Sequence, residues 1–480
     1  MTGMSRRIIT TITILAAAAP FAAAAGARYP VVIVPPLGGS RLTAVWDKPR
    51  VVETYCTRKQ TEPFDLYISN EMIVPGVNKC WRDNFRNTYD MATATFQSMP
   101  GVVVTPVPGV EGVNCLTTVL GYCPPAAGDA HNLIDALEKQ AGYTPGIDLF
   151  AATYDFRLIA DDAHLAEYFA ALRATIETAV AANGGRAAHV VCHSLGCPVA
   201  ASFLNTAAGV DAAWKQRHVR TYFSLSGAYA GSPSALRSAL SGDNEGTGVA
   251  NSFFVPISAR QGGTLWMFPD PSVLQYAGAP PVVRWTDTAD GGGSVRNYTA
   301  SVSDQAALLT RNGYADSAHA VQHVIARRWS EAYAAPNITS HLLYGSQLPT
   351  ELWYEYKTSG GGPIAGDPTT AYCEDPSAPR GYRSCKGMKP SSLPSDGVGD
   401  GTVLYKSLHA VDKWADTQDA PVHKLSFPGV SHADMIKNAA TVSYVVQHII
   451  SSNKGQPYDA ERVTRNALAN ATSTTVLARH

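Results

Sequence analysis

The sequence predicts an α/β fold built on a mostly parallel central sheet, with inserted lid and cap regions. Three observations point there. Short β-branched runs alternate with stretches of helical periodicity along much of the chain, the pattern of parallel strands joined by crossover helices. One apolar run ends in "CHSLG", a strand-to-helix turn with a serine at its apex. Downstream come an aspartate in "GDGTV" and then a histidine in "VSHADM", the order in which such a serine would find its partners on a sheet of this kind.

In chain order, "YPVVIVP" (29–35) is a continuous apolar run closed by proline and reads as a strand buried on both faces. "IDLFAATYDFR" (147–157) gives a second strand, and "DAHLAEYFAALRATIETAVAAN" (162–183) spaces its apolar residues as a helix does. "AAHVVCHS" (187–194) is a third strand, continued by "GCPVAASFLNTA" as a helix. "VRTYFSLSGAY" (219–229) and "HKLSFPGV" (423–430) are further strands, and "KNAATVSYVVQHIISS" (437–452) is a closing helix. Between about 240 and 345 the alternation lapses into sequence rich in Gly, Pro and Asp, with Trp266, Met267 and Phe268 clustered. This stretch is expected to be an inserted cap on a domain running from 27 to 452. Residues 453–480 are polar and read as a tail.

The chain has 480 residues, 45% of them hydrophobic, enough for a large buried core. A formal net charge of −1 gives no electrostatic reason to bind nucleic acid. At the N-terminus, Arg6 and Arg7 precede an apolar run and then small residues, the layout of a secretory signal peptide spanning 1–26 with cleavage expected around Ala25 to Ala27. The mature chain is expected to be soluble and to enter the secretory pathway, ending outside the cell or in a lysosome- or vacuole-like compartment. The cysteines agree with an oxidising compartment. Three close pairs lie in loop-like sequence, Cys56 with Cys80, Cys115 with Cys123, and Cys373 with Cys385; sequence alone leaves their connectivity open. Zinc is the rival use of these residues, but no CxxC or HExxH pattern is present, and no metal or organic cofactor is expected. Asn297, Asn337 and Asn470 head glycosylation sequons.

The chemistry centres on Ser194. A tight turn would lift its hydroxyl to the end of a strand, with small residues two before and two after so that strand and helix do not collide. Gly196 meets that need; Cys192 is small but carries a side chain. The helix beginning behind the serine directs its positive end at developing negative charge. A serine needs a base, and the base an orienting acid. His432 and Asp400 are the candidates, with Asp396 a rival acid, His423 a less suitable base in the last strand, and Asp155 on the wrong side of the order. Taken alone, "GDGTV" is an ordinary turn and His432 a histidine at a helix start; only with Ser194 do they form a case. Two backbone N–H groups are needed for an oxyanion, one from Leu195 and one from "PPLGGSRL", where Gly38 is the natural donor.

Seven segments together resemble the lecithin:cholesterol acyltransferase and lysosomal phospholipase A family, which has the α/β-hydrolase fold. They are "PVVIVPPLGGSRLTAVWDKP", "CWRDNFRNTYD", "LFAATYDFRLI", "HSLGC", "FSLSGAYAGSPSALRSALSGDNEG", "GDGTV" and "HADMIKN", in the family's order over about 29–450. The resemblance implies a catalytic triad of Ser194, Asp400 and His432, and oxyanion donors at Gly38 and Leu195. It implies a lid, about residues 50–82, closed by a Cys56–Cys80 disulfide and touching lipid, with Tyr67 and its neighbour Ile68 facing the membrane. The departures are Cys192 at the elbow's first glycine and Pro35-Pro36-Leu37 in place of Pro-Gly. The pairs 115/123 and 373/385 are additions. Cys192 is expected to lie buried under the elbow, and Cys197 to be a free thiol near the site. The implied activity is serine-dependent acyl transfer from glycerophospholipid at a membrane or lipoprotein-like surface, with water or a lipid alcohol as acceptor. A triacylglycerol or carboxylester lipase and a non-catalytic lipid-binding protein are the alternatives on the same fold.

Overall fold

The computed structural model describes residues 28–456, apart from 118–121, 125, 126, 129, 245, 289–292, 360, 361, 365 and 395. The expected leader, Asn470 and the tail beyond 456 lie outside the described residues. Six strands make the central sheet: β1 (Val31–Val34), β2 (Leu149–Ala151), β3 (Ala188–His193), β4 (Val219–Leu225), β5 (Ser340–Ser346) and β6 (Val422–Pro428). Their spatial order is β6-β5-β4-β3-β1-β2, and every pairing is parallel. Such a sheet must be covered on both faces. Along β1, Val32 and Val34 point into one apolar cluster, and Val31 and Ile33 into the other. Helices α1 (Asp162–Ala182) and α2 (Gly196–Thr206) cover the first face through Leu172, Ile176 and Phe203. Helix α3 (Ala439–Asn453) covers the second through Tyr444, Val445 and Ile449, beside Leu133 and Leu137 of the helix His131–Ala141. Complete burial of an aliphatic side chain contributes about 1.5–3 kcal/mol, and all four β1 residues are fully buried.

Two parts of the architecture differ from the sequence reading. Strand β5 falls inside the stretch assigned to the cap. Its seven residues are all buried, but Ser340, His341, Gly345 and Ser346 dilute the apolar run that would have announced it. A second, five-stranded sheet also forms, two of its strands inside the cap stretch (Val283–Asp287 and Ser294–Tyr298) and three after it (Glu351–Thr358, Thr370–Glu374 and Tyr382–Ser384). The Trp266–Phe268 cluster is core, with Phe268 fully buried and the Trp266 carbonyl accepting the Trp329 indole N–H at 3.0 Å. Asn297 and Asn337 are exposed, as an acceptor asparagine must be.

The sheet also carries four histidines in one group: His189 on β3, His341 on β5, His423 on β6 and His448 on α3. Ring centroids are 4.6 Å apart for His341 and His423, 4.5 Å for His341 and His448, and 5.9 Å for His189 and His448. Phe223 and Tyr444 pack against them, and the Arg220 cation acts on His189 and His448. Burial holds all four below the ordinary imidazole range, His448 down to about 4. A depressed histidine contributes stability that is present above its unfolded pKa near 6.5 and lost as pH falls toward the folded value. The histidine group should therefore make the melting temperature drop steeply between about pH 6 and 4. Replacing His341 by phenylalanine should flatten that acid limb; an unchanged limb in a Tm-versus-pH series would remove the cluster as its cause.

Candidate active site

At the C-terminal end of β3 the chain reverses into α2 through Ser194, which sits at φ +52°, a left-handed conformation costly for a residue with a Cβ. Local contacts hold it there. The Ser194 N–H donates to the Leu225 carbonyl at 3.1 Å, and its own carbonyl accepts the Cys197 N–H at 3.0 Å. Gly196 is the residue the turn cannot replace: a Cβ there would stand 2.4 Å from the Pro35 carbonyl oxygen and 2.6 Å from that of Val34. The same closeness brings the first loop, after β1, against the elbow.

Two distant loops meet the serine. His432 Nε2 is 2.7 Å from Ser194 Oγ, and His432 Nδ1 is 2.7 Å from Asp400 Oδ2. With the imidazole proton on Nδ1, Nε2 accepts the serine hydroxyl. Asp400 is fully buried, and its other oxygen, Oδ1, accepts the N–H groups of Thr402 and Val403 at 3.1 and 2.8 Å. The His432 N–H donates to the Asp400 carbonyl at 2.9 Å, so the two loops are joined through backbone as well. This is a hydroxyl placed to lose its proton to an imidazole whose second nitrogen is oriented by a carboxylate.

The rival residues lie elsewhere. Asp396 is exposed and interacts with Tyr405, Asp155 pairs with Arg157 at 2.5 Å, and His423 belongs to the histidine group in the sheet. One contributor escaped the sequence reading. His193 donates Nε2–H to the His432 carbonyl at 2.8 Å, and burial beside His432 lowers it to about 3, so it is a neutral strut under the histidine loop. The letter before the serine in "HSLG" was its only signal.

On the oxyanion side, Pro36 to Gly39 form a turn closed by the Gly39 N–H on the Pro36 carbonyl at 3.0 Å, with Gly38 at φ +74° as that turn requires. Tyr154 donates its hydroxyl to the Pro35 carbonyl at 2.8 Å and steadies this loop. Leu37 and Leu195 come together: their side chains stand 2.8 and 3.0 Å from where a Cβ on Gly263 would be.

The lid corrects the expectation for Tyr67. Cys56 is bridged to Cys80, closing the loop. Tyr67, however, ends a strand (Lys59–Tyr67) paired with Leu42–Asp47 directly after the first loop, and this pairing turns its ring inward. The ring stacks on Phe85 at 5.4 Å and meets Phe156 edge-on at 5.2 Å, and its hydroxyl lies 2.9 Å from where a Cβ on Gly38 would stand. Ile68 is half-buried against the core. The outward apolar side chains of the lid instead include Tyr55, Ile73 and Val74, 58%, 51% and 44% exposed, with Val52 and Val77 also exposed.

The cysteines of the elbow are a second correction. Cys192 and Cys197 form a disulfide and are not free thiols. The strand–turn–helix reversal brings their Cα atoms to 5.0 Å, within the range a disulfide spans, although five residues separate them. A covalent link thus crosses beneath Ser194 where a glycine was expected. Cys115–Cys123 and Cys373–Cys385 are bridged as well, leaving no free cysteine.

Comparison with known proteins places the chain in a family. A family model described as Lecithin:cholesterol acyltransferase matches residues 64–439. The chain belongs to the lecithin:cholesterol acyltransferase family. Among its relatives, the protein named Lysosomal phospholipase A and acyltransferase from Homo sapiens is 29% identical over 426 residues, covering 88% of this chain and 90% of that one. Its Bos taurus counterpart is 28% identical over the same length. The Phosphatidylcholine-sterol acyltransferase of Mus musculus is 28% identical over 417 residues, 87% of this chain and 84% of that protein.

Proposed function

We propose that this chain is a serine acyl hydrolase and O-acyltransferase acting on glycerophospholipids through an acyl-enzyme. The observation that carries the reading is the contact series Ser194 Oγ, His432 Nε2, His432 Nδ1, Asp400 Oδ2, with 2.7 Å at both hydrogen bonds, in a member of this family. Ser194 gives its proton to His432 Nε2 as Oγ attacks the ester carbonyl carbon. The N–H groups of Gly38 and Leu195 receive the oxyanion. The ester C–O bond breaks, and His432 returns the proton to the departing lysophospholipid oxygen. Water or a lipid alcohol then attacks the acyl-serine, giving its proton to His432, and the serine leaves with that proton.

Relatives named as phospholipase A and as phosphatidylcholine acyltransferase favour this reading over a triacylglycerol lipase, and a geometrically complete set of serine, histidine and acid favours an enzyme over a binding protein. Among the described residues no helix is long and apolar enough to cross a membrane. The lipid surface is met by the lid's outward residues Tyr55, Ile73 and Val74. The four disulfides suit the secretory pathway, with an extracellular or lysosome-like destination.

The test compares acyl release from phosphatidylcholine vesicles, a triacylglycerol emulsion and a short soluble ester. Vesicles should be the preferred lipid, and adding a lipid alcohol should divert acyl groups from free acid to ester. Changing Ile73 and Val74 to serine should lower vesicle turnover severalfold and leave the soluble ester unaffected. Preference for triacylglycerol would overturn the substrate class, and a parallel fall in both assays would make the lid structural.

A further inference from the structure

Directly behind Asp400 lies a second carboxyl group that the proposed chemistry does not use. Glu374 ends the strand Thr370–Glu374 of the second sheet, next to the Cys373–Cys385 bridge, and is only 9% exposed. Its Oε2 accepts two backbone N–H groups, from Gly399 at 2.9 Å and from Tyr405 at 3.1 Å. These two residues bracket Asp400. The Glu374 N–H donates to the Thr350 carbonyl at 3.0 Å, and Thr350 Oγ1 accepts the Gly401 N–H at 2.9 Å. Thr350 and Glu374 therefore grip the loop on both sides of the residue that orients His432. The grip has little slack: a Cβ on Gly399 would stand 2.1 Å from the Val403 carbonyl oxygen.

The charge state of Glu374 follows from its surroundings. Burial, with the Asp400 carboxylate nearby, pushes its carboxyl up to about 8. The other ionisable groups around it are Lys406 and Tyr405 on the segment after the loop, and Tyr276 of the cap. The Lys406 ammonium is engaged over the Tyr276 ring at 4.1 Å, and these three residues share with Glu374 a cavity of about 200 Å³. The neighbouring Asp375 is paired with Arg383 at 2.8 Å. Burial thus favours the protonated form of Glu374, while Oε2 remains the acceptor for both N–H groups.

We propose that Glu374 is a positioning residue for Asp400: with Thr350 it fixes the 399–405 loop through its Oε2 acceptor and so sets the carboxylate behind His432, a task that requires an uncharged acceptor at this position. This rests on the reading of Ser194, Asp400 and His432 given above.

The experiment is a kcat/KM profile from pH 6 to 9.5 on a soluble ester for the wild type, Glu374→Gln, Glu374→Leu and Ser194→Ala. Glutamine keeps an acceptor oxygen and cannot ionise. At pH 7 Glu374→Gln should stay within about threefold of the wild type. At pH 9 the wild type should retain about a tenth of its plateau, the fraction still protonated one unit above the midpoint, whereas Glu374→Gln should keep at least half. Glu374→Leu removes the acceptor and should lose at least about tenfold in kcat with KM within about twofold. Superimposable alkaline limbs for wild type and Glu374→Gln would overturn the proposal, as would a Glu374→Gln protein that is inactive or unfolded at pH 7. Ser194→Ala separates the two readings: if it stays active, the assignment of the site fails; if it is inactive while the alkaline limbs coincide, only the role of Glu374 fails.

Discussion

Replacing Ser194 by alanine should lower kcat by at least about a thousandfold, the usual severity of losing the nucleophile of such a triad. The loss should be chemical and not structural. The contacts that hold the elbow run through the Ser194 backbone, from its N–H to Leu225 and from its carbonyl to Cys197, and alanine keeps both. The backbone strain at φ +52° is borne by alanine as by serine. Far-UV circular dichroism and the melting temperature should therefore match the wild type. A serine-directed phosphonate should modify the wild-type peptide containing residues 189–200 and leave the variant untouched. Substantial turnover in the variant, or label on another serine, would take Ser194 out of the mechanism.

Asp400→Asn should be the more severe test of the geometry, with an expected loss of about 10⁴ in kcat. Asp400 Oδ1 is already committed to the N–H groups of Thr402 and Val403. An asparagine would place its carbonyl oxygen there and turn its NH₂ toward His432 Nδ1. The imidazole would then present a lone pair at Nδ1 and carry its proton on Nε2, facing Ser194, the tautomer that cannot act as base. The loop would stay folded because its backbone bonds are kept. Asp396→Asn, at an exposed residue whose interaction is with Tyr405, should change kcat less than about twofold. The reverse ranking of the two variants would transfer the role of orienting acid to Asp396.

What was legible in the sequence was local. The elbow could be read because its requirements fall within a few residues: a buried run, a serine and a glycine where the helix must pass close to β1. The strands β1, β3 and β4 could be read because burial on both faces demands continuous apolar runs. Strand β5 could not, since its buried positions are filled by serine, histidine and glycine, whose fitness for the interior depends on partners such as Tyr444, whose hydroxyl meets His341 Nδ1 at 2.8 Å. The five strands of the second sheet were hidden for a related reason: a strand that pairs across an insertion is stabilised by neighbours far away in the chain, not by its own pattern.

By itself, then, the sequence determined the α/β alternation, the order of Ser194, Asp400 and His432 along the chain, and the family to which those residues belong. Tertiary structure alone decided which acid meets His432, because Asp396 and Asp400 lie four residues apart in the same loop and only packing buries one and exposes the other. It decided that Tyr67 turns inward over Gly38 while Ile73 and Val74 face out, since strand pairing with Leu42–Asp47 sets the direction of the ring. It joined Cys192 to Cys197 across a reversal whose closeness no spacing rule reports. It also set Glu374, at the end of a strand of the second sheet, behind Asp400 in its loop, and their effect on one another depends on a distance that only the fold supplies.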